Sequence, residues 1–282
     1  MPLIMEAKPL IQRLKTELAS RVDALSHKSK KSPKLVVVLV GDNPASHIYV
    51  KKKAETAKEL GFAAETRTFP ASADPTRVKV MIDELNRDHS VHGILIQRPL
   101  PPAFKEEEVL LWVDPDKDVD GLHPENQGRL LLGMSGHRSC TPLGIMQLLD
   151  HYEIELSGKI ACVVGRSAIV GKPMIQLLLA RNATPIQIHS STPHPKTLMH
   201  SADIVVLATG RAQSFDQSFI KKGAVVVDVG ISRLPDGKVV GDANFESLRN
   251  HVSAITPVPG GVGPMTIMML LKNTLDAAEK SK

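Results

Sequence analysis

Short apolar runs bounded by turn residues alternate along the chain with segments of helical periodicity, and this alternation limits the possible folds. Helical patterns over about 46–60, 75–87 and 173–181 lie between such runs. Continuous apolar runs are typical of strands buried on both faces of a parallel sheet, and helical crossovers connect such strands. The alternation therefore predicts an α/β protein built from βαβ units. The main runs are KLVVVLVG (34–41), HGILIQ (92–97), KIACVV (159–164), PIQIHS (185–190), DIVVLA (203–208) and AVVVDVG (224–230).

The remaining segments indicate two α/β domains with a cleft between them. In the first half we expect a helix over 9–25 and a strand over 64–69, and a Pro-rich break, RPLPP, precedes loops with short helices over 103–139. A second pattern begins with a helix over 142–152, and after a strand over 253–256 the segment TPVPGGVGP leads to a last helix beginning near Pro264. We expect a first domain over 1–139, completed by the helix 264–282, and a second domain over 140–263.

Composition excludes several classes of function. The net charge of +5 is small, and an aromatic content of 3% leaves little material for stacking nucleic-acid bases, so no nucleic-acid partner is expected. Cys140 and Cys162 form no CxxC pair, and neither a secretory leader nor an apolar run of about 18 residues is present. We expect a cytoplasmic protein without a membrane anchor. The 11 histidines lack metal-ligand spacing, which favours solvated surface histidines over a metal site.

The segment VVGRSAIVGKP has the order of a phosphate-binding turn. A strand ends at Val164, Gly165 begins a tight turn, and Pro173 is expected to open a helix. This geometry aims backbone N–H groups and the positive end of a helix at a phosphate, as in Rossmann-like domains. Ser167 stands where the second glycine of the dinucleotide fingerprint would be. A glycine turn without any ligand therefore remains the alternative.

The next strand distinguishes between the two nicotinamide cofactors. NAD sites usually place Asp or Glu about 20 residues after the glycine turn, where the carboxylate accepts from the ribose 2′-OH. Here that strand ends in His189 and Ser190, and Arg166 lies in the turn itself. A guanidinium and hydroxyls suit a 2′-phosphate, which a carboxylate would repel. We therefore expect NADP as cofactor and a Rossmann-like NADP-binding domain over 140–263.

The segment YVKKK, residues 49–53, separates into two parts when it is placed on a helix. At about 100° per residue Lys53 falls within the apolar face, one turn from Tyr49, whereas Lys51 and Lys52 fall on the solvated face. A lysine on an apolar face either extends its amine to solvent or serves a purpose, because burying an unpaired ammonium is costly. Desolvation would lower its pKa and suit it to proton transfer, so both interpretations stay open.

Polar residues follow the strand GILIQ and lie in the acidic loop after it. Strand alternation places Leu95 and Gln97 on one face and Ile96 and Arg98 on the other. The loop DPDKDVDG contains four aspartates, but it lacks the glycine and glutamate positions of an EF-hand calcium loop. Asp114 and Asp116 fit a solvated acidic loop, and Asp120, before Gly121, is the better candidate for a ligand contact.

Seven motifs along the chain together resemble one enzyme family. The family is the bifunctional methylenetetrahydrofolate dehydrogenase/methenyltetrahydrofolate cyclohydrolase family, and the motifs occur in the family's order and spacing over about residues 35–275. The motifs are VGDNPASHIYVKKK, GILIQRPLP, DKDVDGLHPENQGRL, CTPLGI, VVGRSAIVGKPM, DVGISR and ITPVPGGVGPMT.

The resemblance implies an activity and a place in metabolism. The family oxidises 5,10-methylene-tetrahydrofolate to the 5,10-methenyl form with NADP and then hydrolyses the product to 10-formyl-tetrahydrofolate. It serves one-carbon metabolism and thereby purine, methionine and histidine biosynthesis. Its members are typically homodimers whose last helix packs onto the first domain. Residues 1–139 would then be the catalytic, folate-binding domain.

The resemblance also assigns roles to individual residues. Tyr49 would pack on the folate, Lys53 would be the main catalytic group, Gln97 would tune it and Asp120 would bind the pterin. Three further residues would line the substrate, namely Pro259, Gly260 and Gly261. The residues at the cofactor would be Gly165, Arg166, Ser167, Ser190 and Ile231.

The sequence departs from the family pattern at two positions, and two alternative functions stay open. Arg98 stands where the family usually has an apolar residue, and Ile188 replaces a frequent cysteine. A dehydrogenase-only relative is the nearest alternative, although the presence of both Lys53 and Gln97 favours the bifunctional enzyme. A catalytically silent NADP-binding module would explain GRSAIVG but not the inward lysine or the PGGVGP loop.

Overall fold

The structure is a computed structural model that describes residues 2–281. The strands are β1 (Leu3–Ile4), β2 (Lys34–Val40), β3 (Ala63–Phe69), β4 (Gly93–Ile96), β5 (Ile160–Val164), β6 (Thr184–Ile188), β7 (Ile204–Leu207), β8 (Val225–Asp228), β9 (Ser232–Arg233), β10 (Val239–Val240) and β11 (Ala254–Ile255). The helices are α1 (Ala7–Ser29), α2 (Pro44–Glu59), α3 (Pro75–Arg87), α4 (Glu106–Val109), α5 (Pro124–Leu131), α6 (Cys140–His151), α7 (Gly171–Leu179), α8 (Pro195–Ser201), α9 (Phe245–Leu248) and α10 (Val262–Lys280). Parallel sheets combined with helices confirm the predicted α/β class.

The chain divides into two compact units, each built from two separate stretches of sequence. The C-terminal unit contains the residues up to Gln12 together with Thr141–Thr266. The N-terminal unit contains Arg13–Cys140 together with the segment from Ile267 onward. The sequence analysis assigned residues 1–139 to one domain, whereas contacts in the structure group residues 2–12 with the C-terminal unit. These residues group with the C-terminal unit because β1 pairs with β11 in its sheet.

The C-terminal unit is built around a six-stranded sheet. The strand order is β1-β11-β8-β7-β5-β6, and every pairing in this sheet is parallel. Val164 of β5 lies opposite Ile188 of β6, so the loops after these two strands leave the same edge. β7 and β8 are buried at every position, which is typical of central strands covered on both faces. This edge positions the residues predicted to hold a cofactor.

The N-terminal unit is built around a three-stranded parallel sheet of order β3-β2-β4. The central strand β2 is buried at every position after Lys34, in agreement with its continuous apolar run. Valines of β2 pack with Ile82 of α3 and Ile94 of β4 in one apolar core. The loops that follow β2 and β4 therefore leave one edge of the sheet, where α2 begins and Gln97 lies.

Some short elements were not predicted from the sequence. β1, the β9–β10 hairpin, α8 and α9 have seven residues or fewer each, too few for a periodic pattern to be recognised. α7 begins at Gly171, two residues before the predicted opening at Pro173, so the proline occupies the third helical position. A proline in the first turn is compatible with a helix because the N–H groups there have no intrahelical acceptor.

Candidate active site

Helix α2 carries two of the predicted site residues. Asn43 caps the helix by accepting hydrogen bonds from the N–H groups of Ala45 and Ser46, and Pro44 occupies its first turn. Tyr49 is 41% exposed, whereas Lys53, one turn further, is half-buried. Lys51 and Lys52 are exposed. The structure thus separates one lysine of the three from solvent.

Lys53 is held by Gln97, which follows strand β4. Its Nζ donates a hydrogen bond of 2.9 Å to Gln97 Oε1. Gln97 Nε2 in turn donates to the carbonyl oxygen of Arg98 at 2.6 Å, and the Gln97 backbone N–H donates to Val38 O at 2.8 Å. Because a carbonyl can only accept, the second bond fixes the amide so that its oxygen faces the lysine. The Lys53 amine therefore has a defined position.

Asp120 lies on a segment that runs beside β4. Asp118 forms an isolated parallel bridge with Ile94, and its Oδ2 accepts from His123 N–H at 2.7 Å and from Asn126 Nδ2 at 3.0 Å. Gly121 follows with a φ of +69°, and a Cβ there would lie 2.4 Å from the backbone carbon of Arg138. Only glycine combines this conformation with so close an approach. These contacts bring Asp120 to the region of Lys53 and Gln97.

The charged groups of this cluster affect one another. Burial lowers the pKa of Lys53 from its ordinary value, and the charge of Asp120 opposes this shift. Burial likewise raises the pKa of Asp120, while Lys53 and, more weakly, Arg98 oppose the rise. An amine whose pKa is lowered by desolvation transfers protons more readily near neutral pH. The N-terminal unit thus contains a lysine, an amide and a carboxylate suited to proton transfer.

Two buried residues that the sequence analysis did not select complete this cluster. Cys140 donates from Sγ to Val119 O at 3.3 Å, and burial beside Asp120 raises the pKa of its thiol well above the ordinary value. Asn273 of α10 donates from Nδ2 to Val119 O and to Arg138 O, both at 2.9 Å. The signal for Asn273 was available, because it is a polar residue within the apolar helical pattern MTIMMLLKNTL.

Arg98, which strand alternation predicts on the face opposite to Gln97, lies near Asp120. Its side chain lines a small cavity together with Ile96, Asp118 and Asp120. Its guanidinium also forms an ion pair of 3.2 Å with Glu106. The Arg98 charge therefore acts on Asp120, and the Arg98 backbone carbonyl accepts from Gln97. Only the first of these contributions depends on the side chain.

The predicted phosphate turn lies in the C-terminal unit between β5 and α7. Gly165 has a φ of +127°, and a Cβ there would lie 2.3 Å from Ala208 O, so glycine is required where the backbone passes this closely. Ser167 Oγ accepts from the N–H groups of Val170 and Gly171 at 3.2 and 3.4 Å, which holds the turn against the start of α7. Ser167 therefore supports the turn itself.

Arg166 and Ser190 lie at the same edge of this sheet. They follow β5 and β6, whose last residues, Val164 and Ile188, are paired in register. Both are exposed, and neither side chain forms a hydrogen bond or ion pair within the part of the chain that the structure describes. Ile231, after β8, is 53% exposed. An unpaired guanidinium and a hydroxyl at one strand edge suit a phosphate group.

The glycine pair of the PGGVGP segment lies after β11 in the same unit. Gly260 has a φ of +110°, and its carbonyl accepts from Ala7 N–H at 2.8 Å. Gly261 N–H donates to Pro257 O at 2.8 Å. The structure therefore places Tyr49, Lys53, Gln97 and Asp120 in the N-terminal unit, and the residues Gly165, Arg166, Ser167, Ser190, Ile231, Pro259, Gly260 and Gly261 in the C-terminal unit.

Comparison with known proteins identifies relatives over the whole chain. A relative from Streptococcus thermophilus, the bifunctional protein FolD, is 47% identical over 281 residues, which is 100% of this chain and 99% of the relative. The crystal structure of FolD methylenetetrahydrofolate dehydrogenase/cyclohydrolase from Campylobacter jejuni is 44% identical with a TM-score of 0.97, covering 99% of both chains. The Trypanosoma brucei enzyme, solved with NADP and an inhibitor, is 34% identical with a TM-score of 0.94, covering 99% of this chain and 98% of that one.

Two family models match successive parts of the sequence. The catalytic domain of tetrahydrofolate dehydrogenase/cyclohydrolase matches residues 5–120, and the NAD(P)-binding domain of the same family matches residues 139–282. The first match contains the lysine, glutamine and aspartate cluster, and the second contains the phosphate turn. The resemblance drawn from the seven motifs is therefore confirmed: the chain belongs to the tetrahydrofolate dehydrogenase/cyclohydrolase family.

Proposed function

We propose that this chain oxidises 5,10-methylene-tetrahydrofolate with NADP and hydrolyses the resulting 5,10-methenyl-tetrahydrofolate to 10-formyl-tetrahydrofolate, with Lys53 as the main catalytic group. The hydrogen bond between Lys53 Nζ and Gln97 Oε1 carries the assignment of the hydrolytic step. A half-buried amine held by an amide is suited to proton transfer, and a domain that only binds NADP needs no such group. Family membership supports both half-reactions.

The turn after β5 fits the cofactor. Gly165 lets the turn pass close to Ala208, where a Cβ would collide with the carbonyl oxygen, and Arg166 and Ser190 offer a guanidinium and a hydroxyl at the same strand edge. Arg166, Ser167 and Ser190 would hold the 2′-phosphate, with Gly165 and Ile231 also at the cofactor. NADP supplies the acceptor for the hydride that leaves the one-carbon unit.

The oxidation requires mainly orientation of the folate. The reacting carbon lies between two nitrogens, so the cation left after hydride loss is stabilised by resonance, and no strong base is needed in that step. Tyr49 would pack against the folate, and the Asp120 carboxylate would accept hydrogen bonds from the pterin N–H groups. Pro259, Gly260 and Gly261 would line the substrate, where glycine lets the backbone approach closely.

The hydrolysis requires a water molecule and proton transfers. Attack of water on the cationic carbon forms a C–O bond and releases a proton, which the neutral Lys53 amine accepts. Cleavage of one C–N bond then needs a proton on the departing nitrogen, and the Lys53 ammonium supplies it. Gln97 Oε1 keeps the amine oriented in both protonation states, because it accepts from either the amine or the ammonium.

The cellular setting belongs to the same proposal. The family's typical assembly and metabolic role support a cytoplasmic homodimer that supplies formyl units for purine, methionine and histidine biosynthesis. Among residues 2–281, no helix is long and apolar enough to cross a membrane. Light scattering coupled to size-exclusion chromatography tests the dimer, since a mass near 61 kDa is expected against 30.6 kDa for one chain.

The experiment that tests the function presents methenyl-tetrahydrofolate and methylene-tetrahydrofolate separately. Turnover of both substrates, with NADP needed only for the second, supports the bifunctional enzyme. Oxidation without hydrolysis would identify a dehydrogenase-only enzyme. Turnover of neither substrate would leave an NADP-binding module and reject the proposal.

A further inference from the structure

A cavity in the N-terminal unit lies away from Lys53. It has a volume of about 440 Å³, a size common for sites that hold small molecules. His92, one of its lining residues, immediately precedes β4, whereas Gln97 follows the same strand. The cavity and the catalytic cluster therefore lie at opposite ends of β4. No role in the proposed reaction accounts for this cavity.

The walls of the cavity carry an excess of positive charge. Lys117, Arg129 and Lys280 line it, and Asp116 is its one carboxylate among the described lining residues. The Asp116 side chain already accepts an ion pair of 3.2 Å from Arg129. Three histidines, His89, His92 and His137, add imidazole groups that become positive when protonated. The lining therefore favours a ligand with more than one negative charge.

Hydrogen bonds fix two of these groups and leave donors available. Lys34 N–H donates to His92 Nδ1 at 3.0 Å, so the neutral ring carries its hydrogen on Nε2. Lys117 Nζ donates to Leu85 O at 2.9 Å and to Asp88 O at 2.7 Å, which leaves its third N–H without a hydrogen-bond partner among residues 2–281. Burial lowers the pKa of Lys117 and of His92, and a bound anion would oppose both shifts.

The lining distinguishes an anion from a metal ion. Within residues 2–281, no group of three or more His, Cys, Asp or Glu side chains is placed to hold a metal. His137 Nε2 is paired with Asp116 O at 3.0 Å and must carry a hydrogen there, because the carbonyl only accepts. The nitrogen is therefore unavailable as a ligand. Ammonium, guanidinium and imidazole N–H groups instead match phosphate oxygens, which accept several charge-assisted hydrogen bonds.

We propose that this cavity binds a small phosphate-bearing anion with two or more negative charges. Lys117 and the His92 Nε2–H are its fixed donors, and Lys280 supplies further positive charge, whereas the Arg129 guanidinium is already paired with Asp116 and Glu125. The site shares no residue with the proposed NADP and folate contacts. It lies on the segment that continues from Asp116 and Lys117 into Asp120, so an occupant would stabilise the backbone that carries the pterin-binding carboxylate.

Inorganic pyrophosphate is the probe for this site. Isothermal titration of the full chain is performed with saturating NADP, so that the phosphate-binding residues around Arg166 are occupied. We expect one site per chain, and we expect Lys117→Met to weaken pyrophosphate binding at least tenfold. Because Lys117 also holds two backbone carbonyls, a second variant, Lys280→Gln, removes only an exposed charge and should weaken binding about threefold.

Lys58→Met is the matched control, because Lys58 is an exposed lysine of the same unit that does not line the cavity. Unchanged pyrophosphate affinity in this control, with weaker binding in both cavity variants, supports the site. Absence of binding to the unmodified chain would overturn the proposal, as would equal weakening in the control. Succinate that binds as tightly as pyrophosphate would overturn the assignment to phosphate.

Discussion

Lys53 and Gln97 are 44 residues apart in the sequence, yet the lysine Nζ and the glutamine Oε1 are joined by a hydrogen bond of 2.9 Å. The bond connects a helix to the residue after a strand of the neighbouring sheet. It fixes a desolvated amine whose pKa is lowered by burial. Proton transfer to and from a folate nitrogen is the chemistry that this pairing serves in the proposed function.

Lys53→Met is expected to reduce hydrolysis of methenyl-tetrahydrofolate by at least about 100-fold, because the proton-transfer group is lost. NADP affinity should change less than twofold, since the cofactor residues belong to the other unit. Loss of methenyl absorbance measures the rate of hydrolysis, and titration with NADP measures the cofactor affinity. Lys52→Met is the matched control, because Lys52 is exposed and should leave both quantities unchanged. Hydrolysis at the original rate in Lys53→Met would contradict the role of Lys53.

Asp120→Asn is expected to move the pH profile of hydrolysis to lower pH. The Asp120 charge stabilises the Lys53 ammonium and raises its pKa, so removing that charge lowers the pKa of Lys53 further. If the neutral amine accepts the proton from water, kcat/KM rises with pH through this pKa. The rising limb should therefore lie at lower pH in the variant, even where its maximum rate is reduced. A rising limb that stays in place, or shifts to higher pH, would be incompatible with this coupling.

Arg166→Ala is expected to reduce kcat/KM for NADP by about 10- to 100-fold, through the loss of charge-assisted hydrogen bonds to the 2′-phosphate. The value for NAD, which lacks that phosphate, should change less than threefold. Initial rates with each nucleotide test this expectation. Arg249→Ala, which removes an exposed arginine of the same unit directly after α9, should leave the preference for NADP intact. Equal losses with both nucleotides would assign Arg166 to another part of the cofactor.

Gly121→Ala is expected to destabilise the protein by at least about 3 kcal/mol, because left-handed strain adds to a collision with the backbone of Arg138. Gly133→Ala is the matched comparison, since Gly133 has a φ of +68° but an added Cβ would meet no heavy atom within 4 Å among residues 2–281 outside its chain neighbours. Strain alone should cost about 1 kcal/mol there. Urea unfolding of both variants measures the difference. Equal destabilisation would show that the contact with Arg138 carries no cost.

Asp228 is expected to make folding stability depend on pH. Burial raises the pKa of its carboxyl group to about 6. The folded state therefore binds the proton more tightly than the unfolded chain does, so this stabilisation is present below pH 4 and is lost as pH rises through about 6. The loss amounts to about 3 kcal/mol.

Asp228→Asn should remove this pH dependence, although it should also lower absolute stability. The carboxylate accepts backbone hydrogen bonds from Gly230, Asp242 and Ala243, and an amide can accept at only one of its two positions. Urea unfolding at several pH values between 4 and 7 compares the two proteins. Identical pH dependence in both would show that Asp228 does not titrate in this range.

The sequence predicted most long elements and the position of Lys53 on its helix. Continuous apolar runs identified the central strands, because a strand buried on both faces is apolar at successive positions and does not alternate with polar residues. Helical periodicity separated Lys53 from Lys51 and Lys52, as the exposures of the three residues show. Local sequence patterns were therefore sufficient to predict those elements and side-chain positions that depend only on burial.

Contacts between distant segments could not be predicted from the residues in the same way. The bond from Lys53 to Gln97 was expected only through the family resemblance. The polarity of Asn273 within an apolar helix was visible, but its two backbone acceptors were not, because they lie more than 130 residues earlier. The pairing of β1 with β11 joins residues 3–4 to residues 254–255, which placed the start of the chain in an unexpected unit. Two-residue strands have no periodicity from which such a pairing could be inferred.

The most direct test of the proposed activity is a coupled assay of the purified chain with methylene-tetrahydrofolate. The assay follows NADPH formation and 10-formyl-tetrahydrofolate in the same reaction, with NADP and NAD in parallel. We expect both products with NADP. Once the methenyl intermediate is consumed, the amount of 10-formyl-tetrahydrofolate should equal the amount of NADPH formed. NADPH with persistent methenyl-tetrahydrofolate, or no turnover with either nucleotide, would contradict the proposed bifunctional activity.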